Sequence, residues 1–517
     1  MSIFDKRPTP SSTPTTEGFY FGKSESEGEN SYKKSNNTFF DDYLDILPKI
    51  EEGCFIITGR KGSGKSAIAK YIKDNATLED LMFCEIVKSD AITLEKQIQQ
   101  SPANPDDRLV SFFQWLILVK LVKLILESKN GEYTPELKAV NNFVRNNRGV
   151  VEIDKFSVAE ITTMNKRELN VGSLSNNPIF KAIIERIIGK RMEKAPYYKL
   201  LPALKEIVYK ILSFPVFKDY QFIIIFDDLD IGFKSDVMQD KQSLIELIRT
   251  AKEFNNDLRD VGNTKIIILL RDDIKKSIEG FVADGSKLFS TYNVELKWFD
   301  DKPEHETRLR KFVNRRIEFN FKQRGLKYQA YDPWTTLFKD DEGCYGTDYN
   351  GKPRSAFKQI LDYTFFRPRD LILFLKNVGA EKYYYPIKSQ NIGALLQKYA
   401  HENVDEIKSE LAIHYSQEQI REIFNALRAI SYCQNSGCTK NEILSKLAER
   451  NLDADTFRML IDYYLILPFD STTGKYYIGY RNSDPSDYDI DKENMKYKLH
   501  RCIYAHFVPR STLPLDA

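Results

Sequence analysis

Three glycines followed by a lysine and a serine form the first stretch whose residue types suggest chemistry. The segment CFIITGRKGSGKS, which begins at Cys54, fits the spacing G-x-x-x-x-G-K-[ST]. In such a loop the backbone N–H groups cradle phosphates, the lysine reaches the terminal phosphate oxygens, and the serine hydroxyl binds Mg²⁺. A chance match in a Gly-rich turn is the alternative. The spacing predicts a phosphate-binding loop made of Gly59, Arg60, Lys61, Gly62, Ser63, Gly64, Lys65, Ser66 and Ala67, with Ser66 as a metal ligand.

A pair of carboxylates follows the most apolar run of the chain, QFIIIFDDLD, which begins at Gln221. Acidic side chains at the carboxyl end of a buried parallel strand lie where open α/β sheets bind their ligands. Asp227 is predicted to hold Mg²⁺ and its water shell, and Asp228 to orient or polarise the attacking water. An acidic helix cap after a core strand is the alternative. The phosphate loop earlier in the chain favours the catalytic interpretation.

An arginine ends the next apolar run, Thr264–Leu270, and is followed by two aspartates. If this strand neighbours the strand that ends at Asp227, Arg271 lies beside the phosphate site and is a candidate γ-phosphate sensor. The alternative, which the sequence leaves equally open, is a surface arginine paired with Asp272 or Asp273.

These residues need a sheet to position them, and the apolar runs supply its strands. Phe55–Thr58 reads as a buried strand, and a helix is expected from Ser66, with its positive N-terminal end favouring an anion. Leu81–Val87 and Val294–Trp298 read as further strands, the latter at an edge. Five strands with intervening helices predict a doubly wound parallel α/β core.

Length and composition bound the remaining possibilities. A chain of 517 residues is long enough for several domains, and 29% charged residues with a net charge of +2 favours neither nucleic acid nor a membrane. The six cysteines show no C-x-x-C pairs, which disfavours a zinc site or a disulfide framework. The apolar segment Val110–Leu126 is interpreted as a core helix because it is short for a membrane span and carries lysines. Without a signal peptide, the expected location is cytoplasmic.

Composition shifts predict four segments. They are a flexible leader over 1–37, the core over 38–300 with an insertion at about 129–194, a helical lid over 301–414, and a last domain over 415–517. In the last domain, three helical patterns (Ile420–Gln434, Lys440–Asn451 and Asp455–Tyr464) precede three strand patterns (Leu465–Phe469, Lys475–Tyr480 and Met495–His500). This is the order of a winged helix. Its third helix and the segment from Asp484 are acidic, which favours a protein-contacting or autoinhibitory role over reading DNA.

The order of phosphate loop, Asp227-Asp228, a strand ending in Arg271 and a helical region resembles the AAA+ and STAND branch of P-loop ATPases. The segments FYFGKSESEGE, GRKGSGKSAI and VELKW are similar to a group of bacterial P-loop ATPases found in defence-type gene neighbourhoods. The resemblance covers the ATPase core and is loose elsewhere. It implies a P-loop NTPase core with a Walker A loop and a Walker B strand.

A second resemblance concerns the lid. FRPRDLILFLKN, from Phe366, is similar to the lid-helix motif of AAA+ and KAP-like ATPases, in which an arginine contacts the phosphates as a second sensor. The match implies that role for Arg369. The chain departs from the motif at Arg367, where a small or amide residue is usual. An ordinary cation that opens a packed helix is the alternative.

The nucleotide expected from these motifs is ATP with Mg²⁺, because the chain contains neither the N-K-x-D of common GTPases nor the L-S-G-G-Q of ABC proteins. The predicted function is an ATP-hydrolysing regulatory switch that acts on a protein partner or a homo-oligomer, in the setting of antiphage defence. The alternative is an ATP-dependent DNA-binding protein resembling origin-recognition ATPases. In that case the insertion supplies the DNA surface through Lys138, Arg145, Arg148, Lys166 and Arg167, which otherwise form a solvated face.

Overall fold

The computed structural model describes residues 15–23, 39–88, 105–128, 134–146, 169–170, 194–195, 197–230, 233, 237–281, 285–339, 354–412, 414–481, 492 and 494–508. Of the predicted DNA surface, Arg148, Lys166 and Arg167 lie outside these residues, as does the side chain of Arg145. The chain divides into two compact units. The first comprises Asp45–Arg60 and Lys65–Leu296, and the second comprises Met1–Leu44, Lys61–Gly64 and Lys297–Ala517.

The strands of the first unit form one parallel sheet and a short antiparallel pair. In chain order they are β1 (Ile56–Gly59), β2 (Met82–Val87), β3 (Leu169–Asn170), β4 (Lys194–Ala195), β5 (Gln221–Phe226), β6 (Asn263–Arg271) and β7 (Asn293–Glu295). The five-stranded sheet has the order β2-β5-β6-β1-β7, and every pairing in it is parallel. The predicted α/β class with a parallel sheet is therefore confirmed, as is the edge position of the last strand.

Helices flank this sheet, because each parallel strand pair needs a crossover connection that brings the chain back to the end of the sheet where the first strand began. They are α1 (Ile46–Glu51), α2 (Lys65–Asp74), α3 (Pro105–Glu127), α4 (Pro135–Asn146), α5 (Tyr197–Leu212), α6 (Met238–Asp257), α7 (Asp272–Glu279) and α8 (Gly285–Tyr292). The apolar residues of β5 and β6 are almost fully buried, as expected for strands covered on both faces.

Helix α3 is the one helix among the described residues that is long and apolar enough to cross a membrane by length and composition. Of its apolar window, 67% is buried inside the protein. Its Lys120 Nζ lies 2.6 Å from Glu85 Oε1, so this lysine pairs with a strand residue and does not face open solvent. A single helix of this kind is weak evidence for a membrane protein, because the core helix of a soluble protein passes the same test.

The second unit is mainly helical. Its elements are α9 (Arg308–Gln323), α10 (Trp334–Leu337), α11 (Ala356–Asp362), α12 (Pro368–Ala380), α13 (Ser389–Leu411), α14 (Gln417–Ser431), α15 (Lys440–Ala448), α16 (Ala454–Asp462), β8 (Ile466–Asp470), β9 (Met495–Leu499) and α17 (Arg501–Phe507). One hydrophobic cluster runs from Phe19 to Ala505 through these elements. The predicted boundary at 414/415 thus falls inside one compact unit.

The expected strand over Lys475–Tyr480 does not form. Only Tyr476 makes a bridge, to Phe469, and Gly479–Arg481 is a 3₁₀ turn. The rings of these two bridge partners stack 5.3 Å apart. The described part of this region therefore contains the hairpin of β8 and β9, paired antiparallel.

Part of the leader is packed, although the sequence predicts flexibility over 1–37. Phe19 and Phe21 are buried in the core of the second unit. The backbone of this segment bonds to the end of α12, where Thr16 N–H donates to Tyr383 O at 2.9 Å and Gly18 N–H to Gly379 O at 3.1 Å. Burial of these two aromatic rings favours packing of the segment, although its overall composition is polar.

Candidate functional site

The strand register brings the predicted residues of the first unit to one edge of the sheet. β5 pairs with β6, and β6 pairs with β1, with Gly59 opposite Arg271. The condition set for Arg271, that its strand neighbours the Asp227 strand, is met. Because all three strands are parallel, their carboxyl ends open at the same edge, where α/β proteins bind ligands.

Asp227 contacts the serine of the predicted phosphate loop. Its side chain is 5% exposed and lies next to the Ser66 side chain. Burial raises the pKa of Asp227, and the neighbouring Asp228 carboxylate raises it further, while Ser66 and Lys65 oppose the shift. A carboxylate and a hydroxyl so placed are a matched pair of oxygen ligands for a hard cation.

Lys65 begins α2, and its ammonium folds back onto the loop. Nζ donates to Gly59 O at 2.7 Å and to Arg60 O at 3.1 Å. Burial lowers the pKa of Lys65. Of the nearby charges that oppose this shift, the Asp272 carboxylate has the largest effect. The pKa of Asp272 is itself raised by burial and by Asp273.

Asp272 is a site residue that the sequence analysis did not assign. It follows Arg271 directly at the end of β6, as Asp227 follows the end of β5. Its position after a buried strand is a usable signal for a site residue. The sequence is interpreted above only as offering Asp272 as a possible ion-pair partner for Arg271.

Asp228 adopts a left-handed backbone conformation, with φ of 57°. Its N–H donates to Asp227 Oδ1 at 2.9 Å, and its Oδ2 lies 3.7 Å from Lys88 Nζ. Aspartate tolerates this conformation better than most residues, and such strained positions cluster at functional sites. Its role in orienting water stays a prediction.

Arg271 is buried and engaged by two carboxylates. Nε and Nη2 donate to the two oxygens of Asp273 at 3.0 and 2.6 Å, and Nη1 donates to Asp230 Oδ2 at 3.1 Å. The alternative from the sequence is a surface arginine paired with Asp272 or Asp273. The pairing with Asp273 is present, but Arg271 is 6% exposed and therefore not a surface residue. Its sensor role stays a prediction.

The tip of the loop, Lys61–Gly64, belongs to the second unit. Gly62 and Gly64 have φ of 82° and 104°, which L side chains rarely adopt. A Cβ added to Gly62 would lie 2.8 Å from the Cβ of Arg369. Trp298 Nε1 donates to Ser63 O at 2.8 Å, and the Ser63 hydroxyl is buried with no hydrogen-bond partner among the described residues.

Two arginines at the start of α12 lie against this tip and differ in their surroundings. Arg367 is 2% exposed and donates to Lys61 O at 3.0 Å and to Glu410 Oε1 at 2.9 Å. It also pairs with Asp370 at 2.9 Å. The sequence gives Arg367 no role beyond a departure from the motif, because Lys61 and Glu410 lie far from it along the chain.

Arg369, the predicted second sensor, is also at the loop tip. Its backbone N–H donates to Gly62 O at 3.4 Å, and Nη1 lies 3.1 Å from Glu406 Oε2 on α13. Its side chain is 16% exposed, against 2% for Arg367. The second unit thus holds Arg369 beside the loop, and its contact with phosphate stays a prediction.

The rest of the predicted loop follows the expected elements, since Gly59 ends β1 and Ala67 lies in the first turn of α2. In the part of the chain that the structure describes, no group of three or more His, Cys, Asp or Glu side chains could hold a metal. No protein-family model, no curated protein and no solved structure matches this chain.

Proposed function

We propose that the chain is a P-loop ATPase that works as a nucleotide-operated switch. The observation that carries this proposal is that Ser66 and Asp227 lie side by side at the edge where the carboxyl ends of β1, β5 and β6 open. This proximity joins the loop that follows β1 to the end of β5, two strands away in the sheet order. A hydroxyl and a carboxylate from these two places are what Mg²⁺ bound to a nucleotide requires in P-loop proteins.

The loop residues fit ATP and Mg²⁺. Gly62 leaves no room for a side chain, and Lys65 is a partly buried ammonium held by loop carbonyls. A partly buried cation of this kind gains from an anionic partner, which the phosphates supply. Mg²⁺ is typically held by one or two protein oxygens together with phosphates and waters, so Ser66 and Asp227 suffice.

Each acidic or basic group then has a role. Mg²⁺ neutralises charge on the phosphates when it is bound. Lys65 binds the phosphates from the loop, Asp228 orients the water, and Arg271 is held in position by Asp230 and Asp273. Hydrolysis of ATP to ADP and phosphate is the reaction that this set supports.

The output of the switch passes to the second unit, which we propose contains a helical lid and a winged-helix-like domain. The order α14, α15, α16, β8, β9 supports this assignment. Arg369 lies against Gly62 within the same unit, so a phosphate bound at the loop would bias the lid. We propose a cytoplasmic protein partner or homo-oligomer as the target, with antiphage defence as the setting.

Magnesium-dependent ATP binding tests the proposal. Wild type should bind ATP more tightly with Mg²⁺ than with EDTA, and Ser66→Ala should lose that difference because it removes one metal ligand. Ser290→Ala is the control, since Ser290 is an exposed serine of α8 whose hydroxyl donates within its own helix, to Lys287 O at 3.1 Å. Absence of ATP binding by wild type would overturn the proposal. Salt-sensitive DNA binding that depends on Lys138, an exposed residue of α4, would favour the DNA-binding alternative.

A further inference from the structure

Glu406 lies between two cations at the tip of the loop. Its Oε2 is 3.1 Å from Arg369 Nη1 and 3.8 Å from Lys61 Nζ. The three side chains are 28%, 16% and 28% exposed, in the order Glu406, Arg369, Lys61, so water screens these pairs only in part. One carboxylate therefore already holds the two cations that flank Gly62.

The helix that carries Glu406 is fixed by its neighbours on the same face. Asn403, Glu406 and Glu410 are spaced by three and four residues, which places them on one side of α13. Asn403 Oδ1 accepts from Arg367 Nη2 at 3.2 Å, and Glu410 accepts from Arg367 Nη1 at 2.9 Å. These buried contacts hold α13 in place, and with it the Glu406 carboxylate.

We propose that Glu406 sets the discrimination between ATP and ADP by competing with the terminal phosphate for Arg369. This inference rests on the proposed ATPase function and adds a specificity-determining residue to it. A guanidinium binds carboxylates and phosphates through the same N–H donors. A γ-phosphate that reaches Arg369 must therefore displace the Glu406 carboxylate or lie close to its negative charge, and both reduce the gain from binding.

The charge of Glu406, and not its shape, is the feature that the proposal depends on. Glu406→Gln keeps the length of the side chain and an oxygen acceptor but removes the negative charge. Arg369 and Lys61 then lose the attraction of this carboxylate, so an additional phosphate at the loop binds more tightly. Because ADP lacks the terminal phosphate, the ratio of ATP to ADP affinity should rise by roughly 2- to 5-fold, the range of a partly exposed ion pair.

Calorimetric titrations with ATP and ADP at low salt measure this ratio. Asp405→Asn is the matched control, because Asp405 is the preceding residue of the same helix, is 76% exposed and pairs with Lys408 at 3.1 Å. We expect the ratio to rise in Glu406→Gln and in Glu406→Ala, and to stay at the wild-type value in Asp405→Asn. In the Arg369→Ala background, the Glu406→Gln change should lose most of its effect, because Glu406 acts mainly through Arg369.

Three outcomes would overturn the inference. The first is an unchanged or lower ratio in both Glu406 variants, which would make Glu406 neutral or a residue that positions Arg369. The second is an equal rise in Asp405→Asn, which would indicate a general effect of negative charge on α13. The third is a full effect of Glu406→Gln without Arg369. A wild type that binds no ATP removes this inference and the proposed function together, whereas ATP binding with an unchanged ratio removes the inference alone.

Discussion

Gly59 and Arg271 lie opposite each other in the register of β1 and β6. The predicted phosphate loop therefore leaves the sheet at the level where α7 begins with Asp272. This is why the ammonium of Lys65, at the end of the loop, comes under the influence of the Asp272 carboxylate. The register thus provides a counter-charge for a lysine that burial would otherwise penalise heavily.

The first prediction concerns that lysine. Lys65→Ala should reduce ATP affinity by at least about 100-fold, because the phosphates lose a partly buried cationic partner whose hydrogen bonds are of the strong, charge-assisted kind. The measurement is a titration with a fluorescent ATP analogue. Near-native affinity in this variant would contradict the assignment of the loop.

The matched control for Lys65 is Lys287→Ala, which removes an exposed lysine from α8 of the same unit. It should bind ATP like wild type. Both variants should keep the circular dichroism spectrum of wild type, since Lys65 bonds only to carbonyls of its own loop among the contacts described.

The second prediction separates nucleotide binding from turnover. Asp228→Asn should bind ATP·Mg²⁺ within a few-fold of wild type and hydrolyse it roughly 10²- to 10³-fold more slowly, the usual cost of losing one group that acts in the transition state. Single-turnover hydrolysis measures this loss. The amide also tolerates the left-handed conformation of Asp228, which avoids an unrelated loss of fold.

Asp230→Asn is the comparison for Asp228→Asn. Asp230 contacts Arg271 Nη1 at 3.1 Å, so its variant should disturb Arg271 and slow hydrolysis less than Asp228→Asn does. The opposite order, with Asp230→Asn inactive and Asp228→Asn active, would move the catalytic assignment along the segment after β5.

The sheet and the loop could be predicted because their signals are local. Runs such as FIIIF in β5 and IIILL in β6 are short and rich in β-branched residues, which favours a buried strand, and the glycine spacing is contiguous in sequence. Glu406 could not be found in this way. The contact between Glu406 and Lys61 joins residues 345 positions apart, and no period in either segment encodes it.

The packing of the leader has a physical cause that its composition does not show. The polar composition of 1–37 predicts flexibility, whereas Phe19 and Phe21 are buried in the core of the second unit. Aromatic side chains bury enough area to order a polar segment. The structure of such segments depends on the surface they pack against, which the local sequence does not contain.

The third prediction concerns the stability of the second unit. Asp362 lies 2.9 Å from Arg481, and 3.9 Å from both Arg354 and Arg501. Its side chain is 10% exposed. Burial alone would raise the pKa of Asp362, but the three arginines, Arg481 first, hold it below the ordinary value of 3.8. The carboxylate is therefore stabilised in the folded state.

Asp362→Asn should lower the free energy of unfolding by about 2 kcal/mol at pH 7, between the ~1 kcal/mol of an exposed pair and the ~3–5 kcal/mol of a buried one. Because the folded pKa lies below 3.8, the difference from wild type should be constant from pH 7 to about pH 4.5 and shrink only below 3.8. Urea unfolding at a series of pH values measures it. Asp301→Asn, at an exposed acid, should show no such difference, and a loss that begins near pH 6 would contradict the assignment.

The last prediction tests the packed segment of the leader through Gly379. In a helix interior, a change from glycine to alanine normally stabilises by roughly 0.5–1 kcal/mol. At Gly379 of α12, however, the added Cβ would lie 2.2 Å from Phe19 O, and backbone at that distance must move. Gly379→Ala should therefore destabilise the protein by about 1–3 kcal/mol, the usual cost of overpacking. It should also expose the leader around Phe19 to protease.

Gly393→Ala is the matched control, because Gly393 lies in α13 and an added Cβ there meets nothing within 4 Å. This variant should be as stable as wild type or more stable by up to about 1 kcal/mol, since only the helix propensity changes. Urea unfolding gives both free energies, and mass spectrometry of protease fragments locates the first cleavage. Equal stabilisation by the two alanines, with the leader uncut in both, would show that the segment around Phe19 does not pack on α12.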